Sequence, residues 1–247
     1  MSKSAVENKG SIKDLLIKYK SLIGLLILVI IVSVLSPTFF TIPNLLNVFR
    51  QTSINAIIAA GMTFVILTGG IDLSVGSILA FSGAVAASML ASGSSVLTAT
   101  IVAVVIGALS GFANGVAISK GKLQPFIATL ATMTILRGLT LVFTDGKPIA
   151  IGTSNNAISF GKIGGGQIAG IPTPAIIMVL AFAVCFYILT QTKMGRYVYA
   201  LGGNEEATKL SGLDTDKIKT YVYTISGVLA AIAGVIVTAR LYSAQPT

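Results

Sequence analysis

Residues 96–118 contain no charged side chain, and six further apolar runs accompany them, at 22–35, 53–67, 78–90, 126–143, 174–191 and 221–239. In lipid every backbone N–H and C=O must be satisfied within the protein, so spanning segments are helices or closed barrels, and a helix needs about 20 apolar residues to cross. Such runs make an all-α, polytopic transmembrane helical bundle of about seven spans the expected fold class. Composition agrees: 54% of the 247 residues are hydrophobic and only 10% are charged, against about 25% charged in ordinary globular domains. The basic flank before 22–35 suggests a signal peptide, but no small-x-small cleavage site follows, so the run is read as an uncleaved first span.

Charge then sets orientation, because cytoplasmic loops carry an excess of Lys and Arg. Placing the N-terminus, residues 119–122 and residues 192–220 inside gathers twelve of the seventeen basic residues there. The net charge of +9 is thereby explained by topology, and no nucleic-acid partner is implied. Residues 1–20 hold five lysines, and Ile12, Leu15, Leu16 and Tyr19 share one helical face. That pattern predicts a cytoplasmic or interfacial amphipathic segment lying on membrane lipid, ahead of a transmembrane domain at 21–247 with a cytoplasmic loop at 192–220.

One acid sits between the second and third runs, in Thr68-Gly69-Gly70-Ile71-Asp72-Leu73-Ser74-Val75-Gly76-Ser77. A carboxylate at the bilayer centre costs about 2.5–3.5 kcal/mol even on lenient insertion scales, so Asp72 needs a reason. Gly69, Gly70 and Gly76 relax the backbone, and Asp72 and Ser74 suit the first donors of a helix. The stretch is read as a break between two helices that either lies toward the cytoplasmic side or has both arms folding back to the same side. Two roles fit Asp72 and Ser74: capping the third span, or offering polar groups to a pathway or gate.

Enzymatic chemistry is largely excluded. The chain has no histidine, which removes His triads and His metal sites, and its one cysteine, Cys185, lies inside an apolar run. No cofactor or metal is expected. Gly115 and Gly121-Lys122 have the wrong spacing for a P-loop and are followed by leucine, and the G-x-G-x-x-A letters at 164–169 lack a preceding strand. Gly107, Gly111 and Gly115, four apart on one helix face, predict close helix packing. Arg137, well inside the fifth run, fits either a functional intramembrane charge or a snorkelling or paired structural one. Residues 145–173 read as a long loop.

Within 192–220, residues 202–212 carry the marks of a short helix: Asn204 as N-cap, Glu205 and Glu206 in the first turn, Lys209 late, and Gly212 as stop. A helix so short is unstable alone in water and needs a docking surface, on its own membrane domain or on a partner.

Three segments carry a family resemblance: Leu35-Ser36-Pro37-Thr38-Phe39-Phe40-Thr41, then Ile66-Leu67 with the break through Ser77, and Gly195-Arg196-Tyr197-Val198-Tyr199-Ala200-Leu201-Gly202-Gly203-Asn204-Glu205 with Leu210-Ser211-Gly212. Phe126-Ile127-Ala128-Thr129-Leu130, Leu136-Arg137-Gly138 and the final Ser243-Ala244-Gln245-Pro246-Thr247 add weaker support. The chain resembles the integral-membrane permease subunits of ribose-type sugar ATP-binding-cassette (ABC) importers. That resemblance implies a transport subunit in the bacterial inner membrane and no enzyme. Its partners would be an ABC ATPase subunit, an extracytoplasmic sugar-binding protein and a second permease copy, as a homodimer, and its substrate a small sugar such as ribose. It also implies that Gly195, Arg196, Gly202, Gly203, Asn204, Glu205, Ala207 and Gly212 belong to the segment that couples to the ATPase. Family members continue for several helices past the equivalent of Gln245-Pro246-Thr247, so the chain is expected to be truncated at its C-terminus. The alternatives are an ion-coupled secondary transporter using Asp72 and Arg137, and a non-transporting membrane subunit.

Overall fold

The computed structural model describes residues 19–246, so the amphipathic face expected at 12–19 lies outside the described residues except for Tyr19. The chain divides into two compact units, Met1–Val48 and Phe49–Thr247. The first contains α1 (Lys20–Leu35) and the start of α2 (Ile42–Leu67). α1 is apolar on all sides and has no buried residue, the pattern that suits a lipid surround. Between the two helices, Thr41 Oγ1 donates to the Thr38 carbonyl at 2.7 Å and Asn44 Nδ2 to the Phe39 carbonyl at 2.8 Å.

The second unit holds the rest of α2, then α3 (Val75–Ala91), α4 (Val96–Ser119), α5 (Pro125–Phe143), α6 (Asn155–Gly165), α7 (Thr173–Gln191), α8 (Lys193–Gly203), α9 (Glu205–Leu210) and α10 (Thr215–Leu241). Two antiparallel strand pairs accompany them: β1 (Ile149–Ala150) with β4 (Ser243–Ala244), and β2 (Gln167–Ile168) with β3 (Ile171–Pro172). All seven apolar runs are helical. Five helices, α2, α4, α5, α7 and α10, are long and apolar enough to cross a membrane. α1 and α3, with 16 and 17 residues, extend only about 25 Å at 1.5 Å per residue, short of a hydrocarbon core of about 30 Å.

α10 is the central helix, and glycines bring its neighbours onto it. A methyl group at Gly107 would strike Ala231 and the Gly227 carbonyl, one at Gly111 the Tyr223 carbonyl, and one at Gly115 would lie 2.6 Å from Thr220 Cα. α4 therefore packs antiparallel along α10, with backbone close to backbone, where dispersion rather than a hydrophobic driving force holds helices together. Gly83, facing Gly234 and Thr238, does the same for α3. Phe64, Val65, Val198, Val222 and Tyr223 fill one core, and Ala84, Ala87, Ala99 and Ala103 a second, tighter one.

The expected loop at 145–173 is instead built around α6. Ser154 caps it by accepting from Ala157 N at 3.2 Å, and Phe160 is fully buried. Its glycines misled because they serve packing: Gly164 sits against the backbone of Ile236 and Arg240. The two ends of the bundle are distinct. One joins Ser119 to Thr220 at 3.2 Å and Lys122 to Asp216 at 3.1 Å. The other joins Asn156 Nδ2 to the Ser94 carbonyl at 3.1 Å and pairs Ile149 with Ala244.

Candidate functional site

The break after α2 is made by its own backbone. Gly69 has φ +74°, Gly70 N donates to the Val65 carbonyl at 3.0 Å and Gly69 N to the Ile66 carbonyl at 2.9 Å. This is a Schellman stop, which needs a left-handed residue where glycine stands. Gly70 makes room for Tyr223: a methyl there would lie 2.5 Å from the tyrosine oxygen, which donates to the Ile71 carbonyl at 3.2 Å. The chain then turns back into the bundle. Gly61, in α2, lies against Ser226, and Asp72, past the end of α2, reaches Ser226 again. α3 consequently starts inside the bundle, which is why it is short.

Asp72 is 1% exposed. Its Oδ1 accepts from Ser74 N at 3.0 Å and Ser74 Oγ at 2.6 Å, and its Oδ2 accepts from Ser226 Oγ at 2.8 Å. Asn114 Nδ2 donates to Ser74 Oγ at 2.8 Å, and Thr132 Oγ1 donates to Asn114 Oδ1 at 2.6 Å. The five side chains form one chain of hydrogen bonds from α5 through α4 and the start of α3 to α10. A buried carboxyl without partners costs several kcal/mol. Here three donors converge on it, and no cationic side chain pairs with it among the described residues. Asp72 thus satisfies the first free N–H at the head of α3, whereas Ser74, at the N-cap position, makes no side-chain cap bond and donates its hydroxyl hydrogen bond to Asp72. Gly76 has open space around it.

Ser226, Asn114, Thr132 and Tyr223 were not singled out from the sequence. Their one signal was polarity inside apolar runs, which many lone Ser and Thr residues share by bonding back to their own helix, as Thr129 and Thr134 do here.

Against the same end of α2, at the Leu67 carbonyl, lies the polar segment. It is two helices rather than one. Thr192 caps α8, accepting from Gly195 N at 3.3 Å, and Gly195 lies against the Ile188 and Leu189 carbonyls. Asn204 ends α8 and caps α9, accepting from Ala207 N at 2.9 Å. Gly212, at φ +84°, ends the segment. The chain itself holds α9 down through buried Thr208 and a Glu205 to Lys219 ion pair at 2.6 Å. Arg196, Gly202, Gly203, Glu206, Ala207 and Leu210 remain exposed.

Arg137 stands apart from both regions, exposed on α5 with no ion-pair partner among the described residues. Cys185 lines a groove of about 390 Å³ between α7 and α10 whose walls are apolar, which offers a sugar no hydrogen bonds. No group of three His, Cys, Asp or Glu residues that could hold a metal occurs among the described residues.

The sequence matches the family model described as "Branched-chain amino acid transport system / permease component" over residues 44–247. The ribose import permease protein RbsC of Haemophilus influenzae is 57% identical over 232 residues, 94% of this chain and 72% of that protein. RbsC of Escherichia coli K12 is 54% identical over 95% of this chain and 73% of its own length. The D-allose transport system permease AlsC of Escherichia coli K12 is 40% identical over 93% and 70%. No solved structure matches. With its break and its capped polar segment both inside the matched region, this chain belongs to the ABC-importer permease family that contains the ribose import permeases.

Proposed function

We propose that the chain forms the translocation pathway of an ATP-driven monosaccharide importer, with ribose as substrate. The observation that carries this is the gradient of identity, 57% and 54% to ribose import permeases against 40% to the allose permease. In this reading an ABC ATPase seats on α8 and α9, an extracytoplasmic binding protein delivers sugar to the far end of the bundle, and two copies of the chain enclose the pathway in the bacterial inner membrane. Seven crossings with the N-terminus inside are supported by the loop charges and by the meeting of residues 119–122 with the start of α10 at one end. Arg137, unpaired on α5, would face the second copy or the pathway, since an intramembrane arginine avoids lipid.

Reconstitution with the ATPase and binding protein tests it. ATP-dependent ribose uptake exceeding allose uptake is the expected result, and uptake that persists without the ATPase but collapses with an ionophore would overturn it. Cysteines introduced at Ser94 and Ala207 should label from opposite membrane faces.

A further inference from the structure

The polar segment meets the glycine break at Gly202. Gly202, the penultimate residue of α8, lies against the carbonyl of Leu67, the last residue of α2. A methyl group there would overlap the Leu67 carbonyl oxygen, approach its carbon to 3.0 Å and come within 3.8 Å of Thr68 Cα. The Cα–H of Gly202 thus rests on a helix-terminal carbonyl, a weak contact in itself, but one that only glycine permits. Gly203, the next residue, meets nothing within 4 Å. Closeness is therefore required at Gly202 and not at its neighbour.

What lies on either side of this point gives it consequence. Before Leu67, α2 is firmly packed: Phe64 and Val65 are fully buried, and Gly61 abuts Ser226 and Leu229. Beyond it, the chain is pinned again at Asp72 through Ser226 of α10. Between the two anchors lie Thr68, Gly69, Gly70 and Ile71, a short connector with a left-handed glycine, bonded back to α2 through the Gly69 and Gly70 N–H groups and to α10 through Tyr223 at the Ile71 carbonyl. Asn204, Glu205, Glu206 and Ala207, at the head of α9, are exposed.

We infer that Gly202 is the point at which movement of the α8–α9 segment is delivered to the break, and through it to the buried Asp72 seam. Gly202 is a positioning residue acting through the Leu67 carbonyl. The inference rests on the reading that the ATPase binds α8 and α9. A push on that segment arrives at the Leu67 carbonyl, and residues 68–71, hydrogen-bonded to α2 and to α10, carry it to the head of α3.

The test uses the complete transporter, with ATPase and binding protein, in proteoliposomes. Gly202→Ala is expected to lower uptake at least tenfold, a larger loss than that of ATP hydrolysis by the same complex. Uptake within twofold of the unmodified level would overturn the inference. A second measurement needs no substitution: hydrogen exchange in the unmodified transporter, with and without nucleotide. Nucleotide should change exchange at residues 202–210 and at 69–72 together, whereas a change at 202–210 alone overturns the transmission role. If ATPase addition leaves 202–210 unprotected, the docking reading itself has failed, an outcome distinct from the other two.

Discussion

Asp72 and Glu205 are both acids in an apolar chain, yet they are built into it in opposite ways. Asp72 is 1% exposed and receives three hydrogen bonds from Ser74 and Ser226. Glu205 is half exposed and meets a single lysine. The seam around Asp72 closes on itself, each polar atom paired inside the chain, while the segment around Glu205 spends one ion pair and one buried threonine on its own attachment and leaves the rest outward. In a low-dielectric interior an unpaired polar group is costly, so the seam has little freedom to change partners. At the surface the same groups are solvated, so the segment is free to take a partner. The difference separates an anchor from a receiving surface.

Five substitutions sharpen that contrast. The largest effect is expected where backbones meet: Gly111→Val drives a branched side chain into the Tyr223 backbone, and a loss of about 3 kcal/mol should appear as failure to accumulate folded protein in the membrane. Asp72→Ala orphans Ser74 N–H and the Ser74 and Ser226 hydroxyls, for a cost of about 2–3 kcal/mol read as a lowered melting temperature in detergent. Asp72→Asn can still accept from Ser74 N, so normal protein amounts and substantial uptake are expected. Loss of uptake at normal amounts would move Asp72 from anchor to pathway.

Weaker effects belong to the polar segment. Asn204→Ala removes the cap on α9 and should cost about 1 kcal/mol, seen as faster hydrogen exchange at residues 205–210 with the membrane helices unaffected. Smallest is Asp214. The Lys217 backbone N–H, and then its ammonium, hold this carboxyl below the usual range. A lowered folded-state value stabilises above the ordinary carboxylate pKa and fades as pH falls through the lowered one. Because Asp214 is exposed and an asparagine oxygen can accept from Lys217 N in its place, Asp214→Asn should change melting at neutral pH little and flatten a shallow acid-side decline.

Much of this was legible in the residues. The apolar runs named the helices, because lipid leaves backbone groups no other partner, and Asn204 with Glu205, Glu206 and Gly212 marked α9 through purely local chemistry. The glycines of 145–173 did not reveal α6, because a glycine used for close packing and a glycine used for a turn are the same letter. Likewise the sequence placed a break at Gly69 and an acid at Asp72 but not the return of the chain into the bundle, nor Ser226, Asn114 and Thr132 as the acid's company. Those partners lie up to 154 residues away along the chain, and only packing brings them within hydrogen-bond distance. Local preference and hydrophobic length were written in the sequence. Which carbonyl Gly202 would rest on, and which hydroxyl would face Asp72, was decided by how the helices fit around α10.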